Sequence, residues 1–357
     1  MPPPLTFIVS TILTATTAGL ASRKAGPLEK GKFIQYIGMW LLMSTCQGWS
    51  RADFWSQLPY DPEDAVVSCP YRFGSHMTHS HFEAITRELR YTLAPPPAYR
   101  DKFWQVRDMI SAWNANMAAF FLSGWVICLD ESISIWHNRW TCPGWIFCPR
   151  KPHPYGNEYH TACCGLSGVL FGIELVEGRD RPKELTAEYD DVGGKTCGLL
   201  LRMLKTYFAT GRYVVLDSGF CVLKAVIALR NYGLFACALI KKRRYWPTMV
   251  PGEAIRAHYE DKEVRETDAI QGTMDGHPYT IWGMKEPDYV MSMMATGGSL
   301  NEDENCRLTT RTWTEKGEKK TKVSGISFLF TGTSGIAMPL TTTTIFGTGC
   351  HHWRIRG

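Results

Sequence analysis

The sequence lacks a strong net charge, a regular cysteine pattern and a clear membrane-length apolar run. Its 39 basic residues nearly balance 34 acidic ones, which leaves a net charge of +5 over 357 residues. Any attraction to nucleic acid must therefore come from local basic clusters and not from the bulk charge. Because 45% of the residues are hydrophobic, the chain is not disordered and can bury cores in two or three domains.

Cysteine usage favours reduced thiols over a disulfide framework and gives no clear metal motif. Twelve cysteines are scattered without even spacing, and Cys163 and Cys164 are adjacent. This pattern is typical of reduced thiols in an intracellular protein. Cysteines and histidines between residues 142 and 163 include enough ligand types for zinc, but no pair has the Cys-x-x-Cys spacing. We interpret these residues as parts of a hairpin, and His76, His79 and His81 as surface polar residues.

Two other segments resemble motifs only in part. Residues 5–21 carry no charge, but they lack a basic start, are rich in threonine and are short for a membrane span. We expect a helix of an N-terminal domain there, with a signal peptide or membrane anchor as the alternative. Gly193-Gly-Lys-Thr196 resembles the end of a phosphate loop, whose first glycine is replaced here by Tyr189. We interpret this segment as the turn before a helix.

Apolar residues spaced by three and four predict a run of helices before residue 122. The expected buried face of the first helix after residue 28 is Phe33, Ile34, Ile37, Trp40 and Leu41. Ser50 is expected to cap the next helix, and His79 or Ser80 to cap a helix over residues 82–91. A further amphipathic helix is predicted over 103–121. Its apolar members are Trp104, Val106, Ile110, Trp113 and Met117.

Two later apolar runs each lead into an aspartate. Residues 124–129 precede Asp130, and residues 213–216 precede Asp217. We interpret both runs as buried strands that end at their aspartates, which would bring two carboxylates to one edge of an α/β sheet. The alternative is that each aspartate begins a turn and caps the next element of the chain. Strands followed by alternating helices and strands up to residue 240 predict a mixed sheet.

Five segments, taken in order, resemble the transposase domain of piggyBac-type transposable elements. They are Phe33-Ile-Gln-Tyr-Ile-Gly-Met-Trp-Leu-Leu-Met43, Ser50-Arg-Ala-Asp-Phe-Trp55, residues 77–91, Asp130-Glu-Ser-Ile-Ser with Cys148-Pro-Arg-Lys-Pro-His-Pro-Tyr-Gly156, and Val214-Val-Leu-Asp217-Ser-Gly-Phe. The resemblance extends over roughly residues 30–300. It implies an α/β fold with an RNase H-like mixed-sheet catalytic core, an N-terminal helical domain and a small β-rich insertion.

The resemblance also implies a domain order and a chemistry. It places a dimerisation and DNA-binding region in 1–118, the core in 119–240, the insertion in 241–322 and an aberrant tail in 323–357. Asp130 and Asp217 correspond to the first and second of three catalytic, metal-binding aspartates. The expected cofactor is a pair of Mg²⁺ ions, because hard cations that drive phosphodiester transfer need clustered carboxylates.

The implied partner is double-stranded DNA, namely transposon ends and TTAA targets, with a homodimer as one assembly and with no membrane. Basic side chains expected beside the site would hold phosphates without reading sequence. They are Arg150, Lys151, Lys241, Lys242, Arg243 and Arg244. The alternative for these clusters is a solvated charged turn or a nuclear-import signal. We expect a nuclear protein.

The third aspartate of the family pattern is missing. No acidic residue follows Glu318, and Asp288, Glu302 and Asp303 are substitutes that would lie in the insertion or an acidic turn. Every threonine codon has the form ACN, so reading from its third base into the next threonine codon gives NAC, which can encode aspartate. A reading frame shifted in this way over residues 338–345 permits a sequence that contains Ala-Val-Asp. We hypothesise a frameshift or mis-spliced junction near residues 325–328. We therefore expect a transposase-derived protein with an incomplete catalytic site, and the sequence does not decide whether it is active. The alternative is a non-catalytic domesticated or decaying DNA-binding protein.

Overall fold

The computed structural model of the protein describes residues 5–22, 26–46, 48–57, 69–95, 101–140, 142–149, 151, 154–177, 187–240, 252–297, 308–315 and 317–325. The chain divides into two compact units. The first holds the described residues up to Phe120 together with Ile133–Asn157, and the second holds Phe121–Ser132 and the described residues from Glu158 onward. The four domain boundaries inferred from the sequence stay a prediction.

The first unit contains four helices in its described part: α1 (Leu5–Ala21), α2 (Lys30–Thr45), α3 (His79–Glu88) and α4 (Trp104–Phe120). The predicted N-terminal helix is confirmed. It buries Ile12 and Leu20 in the same core as Phe82 and Ile85 of α3. In the described ranges, no helix combines the length and apolar character that crossing a membrane requires.

The buried face of α2 differs from the predicted one. Phe33, Tyr36 and Met39 are buried, whereas Ile34 is 60% exposed and Leu41 is 51% exposed. Burial of Tyr36 is favoured because α3 provides a partner for its ring and another for its hydroxyl group. Its ring lies 5.0 Å from the ring of Phe82, and its hydroxyl lies 3.3 Å from the Thr86 hydroxyl.

The predicted helix starts are partly correct. The Ser50 amide donates to the Asp53 carboxylate at 2.6 Å, so the cap is confirmed, but the element is a single 3-10 turn over Arg51–Trp55. The cap of α3 is Thr78, whose hydroxyl accepts from the His81 amide at 3.3 Å. The prediction of His79 or Ser80 was therefore wrong by one or two residues, because a threonine in extended conformation already satisfies that amide.

The predicted helix over 103–121 is confirmed as α4, but its predicted apolar face is not a buried one. Ala112 is the residue of α4 that is buried. Trp113 is 38% exposed and Phe120 is 86% exposed. Periodicity identified the helix because spacing reports conformation, whereas burial depends on which neighbours are present.

The core sheet has the strand order of an RNase H-like fold. Its strands are β1 (Val126–Ile135), β3 (Tyr155–Cys164), β4 (Leu170–Leu175), β5 (Tyr213–Leu216) and β6 (Phe235–Ile240). The order across the sheet is β4, β3, β1, β5, β6. Strands β1, β5 and β6 are parallel, and β4 is antiparallel to β3. The short strand β2 (Trp145–Phe147) pairs with the start of β3.

Helices between the strands bury one face each. They are α5 (Asp190–Gly193), α6 (Lys195–Leu204) and α7 (Leu223–Asn231). The segment from Gly193 to Thr196 leads into α6, as predicted for a turn before a helix. Leu200, Leu201 and Leu204 of α6 are fully buried, and a 3-10 turn over Lys205–Tyr207 follows α6.

The predicted insertion strands are present and extend the core sheet. After α8 (Gly252–His258) come β7 (Thr267–Met274), β8 (His277–Lys285) and β9 (Val290–Ala295). Strand β9 pairs antiparallel with β6, which covers the otherwise open edge of β6. A separate hairpin joins β10 (Leu308–Glu315) to β11 (Glu318–Gly325), and β11 extends past residue 323, where the tail was predicted to begin.

Candidate active site

Asp130 and Asp217 occupy neighbouring positions on two parallel strands. The register of β1 and β5 pairs Val126 with Tyr213 and continues to Leu129 with Leu216. The next residue in each case is an aspartate, Asp130 within β1 and Asp217 directly after the end of β5. Residues in equivalent register on adjacent parallel strands project to the same face, with the strands about 4.8 Å apart. Both aspartates are partly exposed.

Strand β1 does not end at Asp130, contrary to the prediction, but continues to Ile135. It continues because β3 pairs beside it, and the Thr161 hydroxyl donates to the Asp130 carbonyl at 3.2 Å. Strand β5 does end at its aspartate. The Phe220 amide donates to the Asp217 carbonyl at 3.0 Å, which closes a turn immediately after the strand.

Glu131 contributes a further carboxylate near this turn. Its Oε1 atom lies 3.0 Å from the position that a Cβ on Gly219 would take. The missing side chain of Gly219 therefore lets the Glu131 carboxylate approach the segment that follows Asp217. On the other side, the Glu131 amide donates to Asp130 Oδ1 at 2.7 Å. The sequence showed Glu131 only as the second member of an acidic pair, and nothing in its spacing indicates the contact with Gly219.

Two titratable groups behind the turn are held neutral at physiological pH. Burial, together with the nearby Asp217 charge, raises the pKa of Cys221 to about 12. Burial, together with the Arg202 charge, lowers the pKa of His160 to about 4. The His160 ring packs edge-on against Phe220 at 5.5 Å, and its Nδ1 atom is buried without a hydrogen-bond partner. These groups support the turn by packing and add no charge to it.

The two adjacent carboxylates suit a hard divalent cation in part. Oxygen ligands from aspartate are those that Mg²⁺ prefers, and Asp130 and Asp217 supply one each. In the described part of the chain, however, no group of three or more histidine, cysteine, aspartate or glutamate side chains is arranged to hold a metal ion. The proposed substitute Asp288 is exposed in the turn between β8 and β9, and Glu302 and Asp303 lie outside the described residues.

Most of the basic residues predicted to contact DNA are not among the described residues. Arg150 and Lys241, Lys242, Arg243 and Arg244 lie outside the described residues. Lys151 is partly exposed, and its amide donates to the Cys148 carbonyl at 3.0 Å, which makes the segment a tight turn. The predicted role of these side chains stays a prediction.

Comparison with known proteins identifies the family. A family model described as Transposase IS4 matches residues 5–324. The chain belongs to the Transposase IS4 family. The match includes α1, both aspartates and every strand of the core sheet. No curated protein matches the chain.

A solved structure shows how this member of the Transposase IS4 family folds. It is similar to the piggyBac transposase in a cryo-EM structure of a synaptic complex with hairpin DNA, with a TM-score of 0.64 and 16% sequence identity. The match covers 84% of this chain and 60% of that one, so the chain spans about 60% of the length of that transposase. The resemblance to piggyBac-type transposases and the RNase H-like fold are thereby confirmed.

Proposed function

We propose that this protein is a piggyBac-like transposase-derived protein that keeps two aspartates of a Mg²⁺-dependent centre for DNA cleavage and strand transfer at TTAA sites. The observation that supports the proposal is the register of β1 and β5, whose last pair, Leu129 with Leu216, directly precedes Asp130 and Asp217. Two carboxylates on adjacent parallel strands, at the point where one strand ends, form the start of a two-metal phosphoryl-transfer site.

Asp130 and Asp217 would hold the divalent cation. When bound, Mg²⁺ lowers the pKa of an attacking water or 3′-hydroxyl and stabilises the leaving oxygen. The chain itself orients the two carboxylates. The Thr161 hydroxyl fixes the Asp130 backbone at 3.2 Å, and the Phe220 amide closes the turn after Asp217 at 3.0 Å. Both contacts hold the backbone from which the two side chains project.

The proposal includes a site that is incomplete within this sequence, where no residue matches the third aspartate of the family. No acidic residue follows Glu318, and the family match stops at residue 324, directly before the junction hypothesised at residues 325–328. Sequencing the genomic DNA and the transcript across this junction tests the hypothesis. Codons that spell Ala-Val-Asp in a shifted frame would support it, and codons that cannot spell that string would refute it.

DNA is the proposed partner of the whole protein, because the similar piggyBac transposase is described in a complex with hairpin DNA. TTAA specificity, a homodimer and a nuclear location belong to the same proposal. The basic clusters at Arg150 to Lys151 and at Lys241 to Arg244 would bind phosphates if the proposal holds.

A second candidate function is a domesticated or decaying DNA-binding protein with no chemistry. It is favoured by the lack of a three-ligand group in the residues that the structure describes. Incubating the purified protein with Mg²⁺ and TTAA-containing duplex DNA separates the two functions. Weak nicking that disappears in Asp130→Ala supports the first function, and binding without nicking supports the second. Failure to bind DNA at all would contradict both.

A further inference from the structure

Three aromatic rings stack in a row on β2 and β3 of the first unit. Phe147 lies directly opposite Tyr155 in the antiparallel register. The Tyr155 ring is 5.1 Å from that of Phe147, with 22° between their planes. It is 6.0 Å from the ring of Trp145, with 24° between planes. We name Trp145, Phe147 and Tyr155 the aromatic ladder.

The outer part of the ladder is open to solvent. Phe147 is 54% exposed and Tyr155 is 39% exposed. In the preceding loop, Trp140 is 81% exposed, and the Arg139 guanidinium lies 4.3 Å from its ring centroid. Single exposed apolar residues are ordinary, but several large planar side chains exposed within one short segment indicate a binding surface.

The charge of this segment identifies the kind of partner. Residues 133–157 contain no aspartate or glutamate, whereas they include Arg139, Arg150 and Lys151. A segment without acidic side chains that carries basic and aromatic ones is complementary to a polyanion that also presents flat apolar faces. Unpaired nucleotides have both properties, because their phosphates are charged and their bases are free to stack. The bases of an intact duplex already cover one another, so they offer no such face.

We infer that the aromatic ladder, together with Arg139 and Trp140 of the preceding loop, binds unpaired bases of DNA by stacking. This inference rests on the proposed function in taking DNA as the partner, and it adds single-stranded or looped segments as the form of DNA that is recognised. Arg139 contributes a cation beside the Trp140 ring, an arrangement that suits a phosphate and a base together.

The inference is tested by DNA binding of the full chain and its variants. The probes are a labelled oligothymidine strand, a hairpin with an unpaired loop and a fully paired blunt duplex. Phe147→Leu and Trp140→Leu should each weaken binding of the strand and the looped hairpin by about 5- to 150-fold, the range for losing one stacked base. Binding of the duplex should change by less than about 3-fold, because phosphate contacts dominate there.

Matched variants separate stacking from apolar contact. Phe147→Tyr and Trp140→Phe keep a planar ring, so they should bind the strand nearly as the unchanged protein does. Trp113→Leu removes an exposed tryptophan of α4, 38% exposed, and should have no effect. Since Phe147 and Trp140 are exposed, their leucine variants should keep the thermal midpoint of the unchanged protein.

Each contrary outcome has a distinct meaning. If the leucine variants bind every probe as well as the unchanged protein, the inference is wrong while the proposed function stands. If they lose a concentration-dependent self-association and no DNA affinity, the ladder binds a second copy and the inference is wrong. If the unchanged protein binds no probe, both the inference and the proposed DNA partner fail.

Discussion

Asp130 and Asp217 each come one position after the last paired residues of β1 and β5, which are Leu129 and Leu216. A divalent cation would stabilise carboxylates that project from such neighbouring positions. A fold tolerates such an arrangement at functional sites, where stability is given up for chemistry. The relationship links the core sheet of the Transposase IS4 family to the metal site proposed here.

Replacement of Arg202 should destabilise the second unit. The Arg202 guanidinium donates to Glu174 at 2.7 Å and 3.1 Å and to Asp190 at 3.0 Å, and its side chain is 11% exposed. Arg202→Ala would leave two half-buried carboxylates without their cation, and the free energy of unfolding should fall by about 2 kcal/mol. Urea denaturation measures the difference.

Lys205 provides the control for that measurement. It pairs with Glu188 at 2.5 Å, but both side chains are at least half exposed. Because exposed ion pairs are screened by water, Lys205→Ala should leave the denaturation midpoint unchanged. Equal losses in the two variants would show that burial of Arg202 has no special effect.

His160 should make stability depend on pH in the mildly acidic range. Burial and the Arg202 charge lower its pKa to about 4 in the folded protein, against about 6.5 in an unfolded chain. As the pH falls below about 6.5, the His160 imidazole becomes protonated in the unfolded chain, whereas in the folded protein it stays neutral down to about pH 4. The folded state therefore loses stability on acidification, by about 2 kcal/mol at about pH 5.

His160→Gln should remove this dependence. Urea denaturation of both proteins at about pH 7 and about pH 5 gives two differences in unfolding free energy. The loss on acidification should be about 2 kcal/mol larger for the unchanged protein than for the variant. Equal losses would mean that the His160 imidazole is not held neutral in the folded protein.

Two glycines of the first unit should respond to alanine in opposite directions. A Cβ on Gly156 would lie 1.9 Å from the Ser134 carbonyl oxygen, whereas one on Gly38 of α2 would meet nothing within 4 Å. Gly156→Ala should lower the free energy of unfolding by about 2–3 kcal/mol. Gly38→Ala should raise it by about 0.5–1 kcal/mol, because alanine is the better helix former. Thermal denaturation of both variants checks the pair of signs.

The sequence predicts the core sheet well where local pattern determines it. The apolar runs before Asp130 and Asp217 identify β1 and β5, and the family resemblance makes the two aspartates partners. The end of β1 was predicted wrongly, because residues after Asp130 alternate in polarity and remain in the strand only through pairing with β3. That pairing depends on residues about 30 positions away, such as Thr161.

Contacts that join distant segments could not be predicted. Tyr36 lies on the buried face of α2, where the sequence predicted aliphatic residues, because its ring packs against Phe82 and its hydroxyl lies beside that of Thr86 in α3. The approach of Glu131 to Gly219 depends on how far β1 extends beyond β5. Neither relationship leaves a periodic signal, since each depends on the tertiary placement of a few side chains.

A Mg²⁺ titration followed by thermal denaturation tests the central claim, that Asp130 and Asp217 form a divalent-cation site. With two carboxylate ligands the affinity should be weak, on the order of millimolar. Mg²⁺ should raise the midpoint of the unchanged protein and of Asp288→Asn, whose carboxylate is exposed in the β8–β9 turn. It should have no effect on Asp130→Asn or Asp217→Asn. A Mg²⁺-dependent rise that persists in both of those variants would contradict the account.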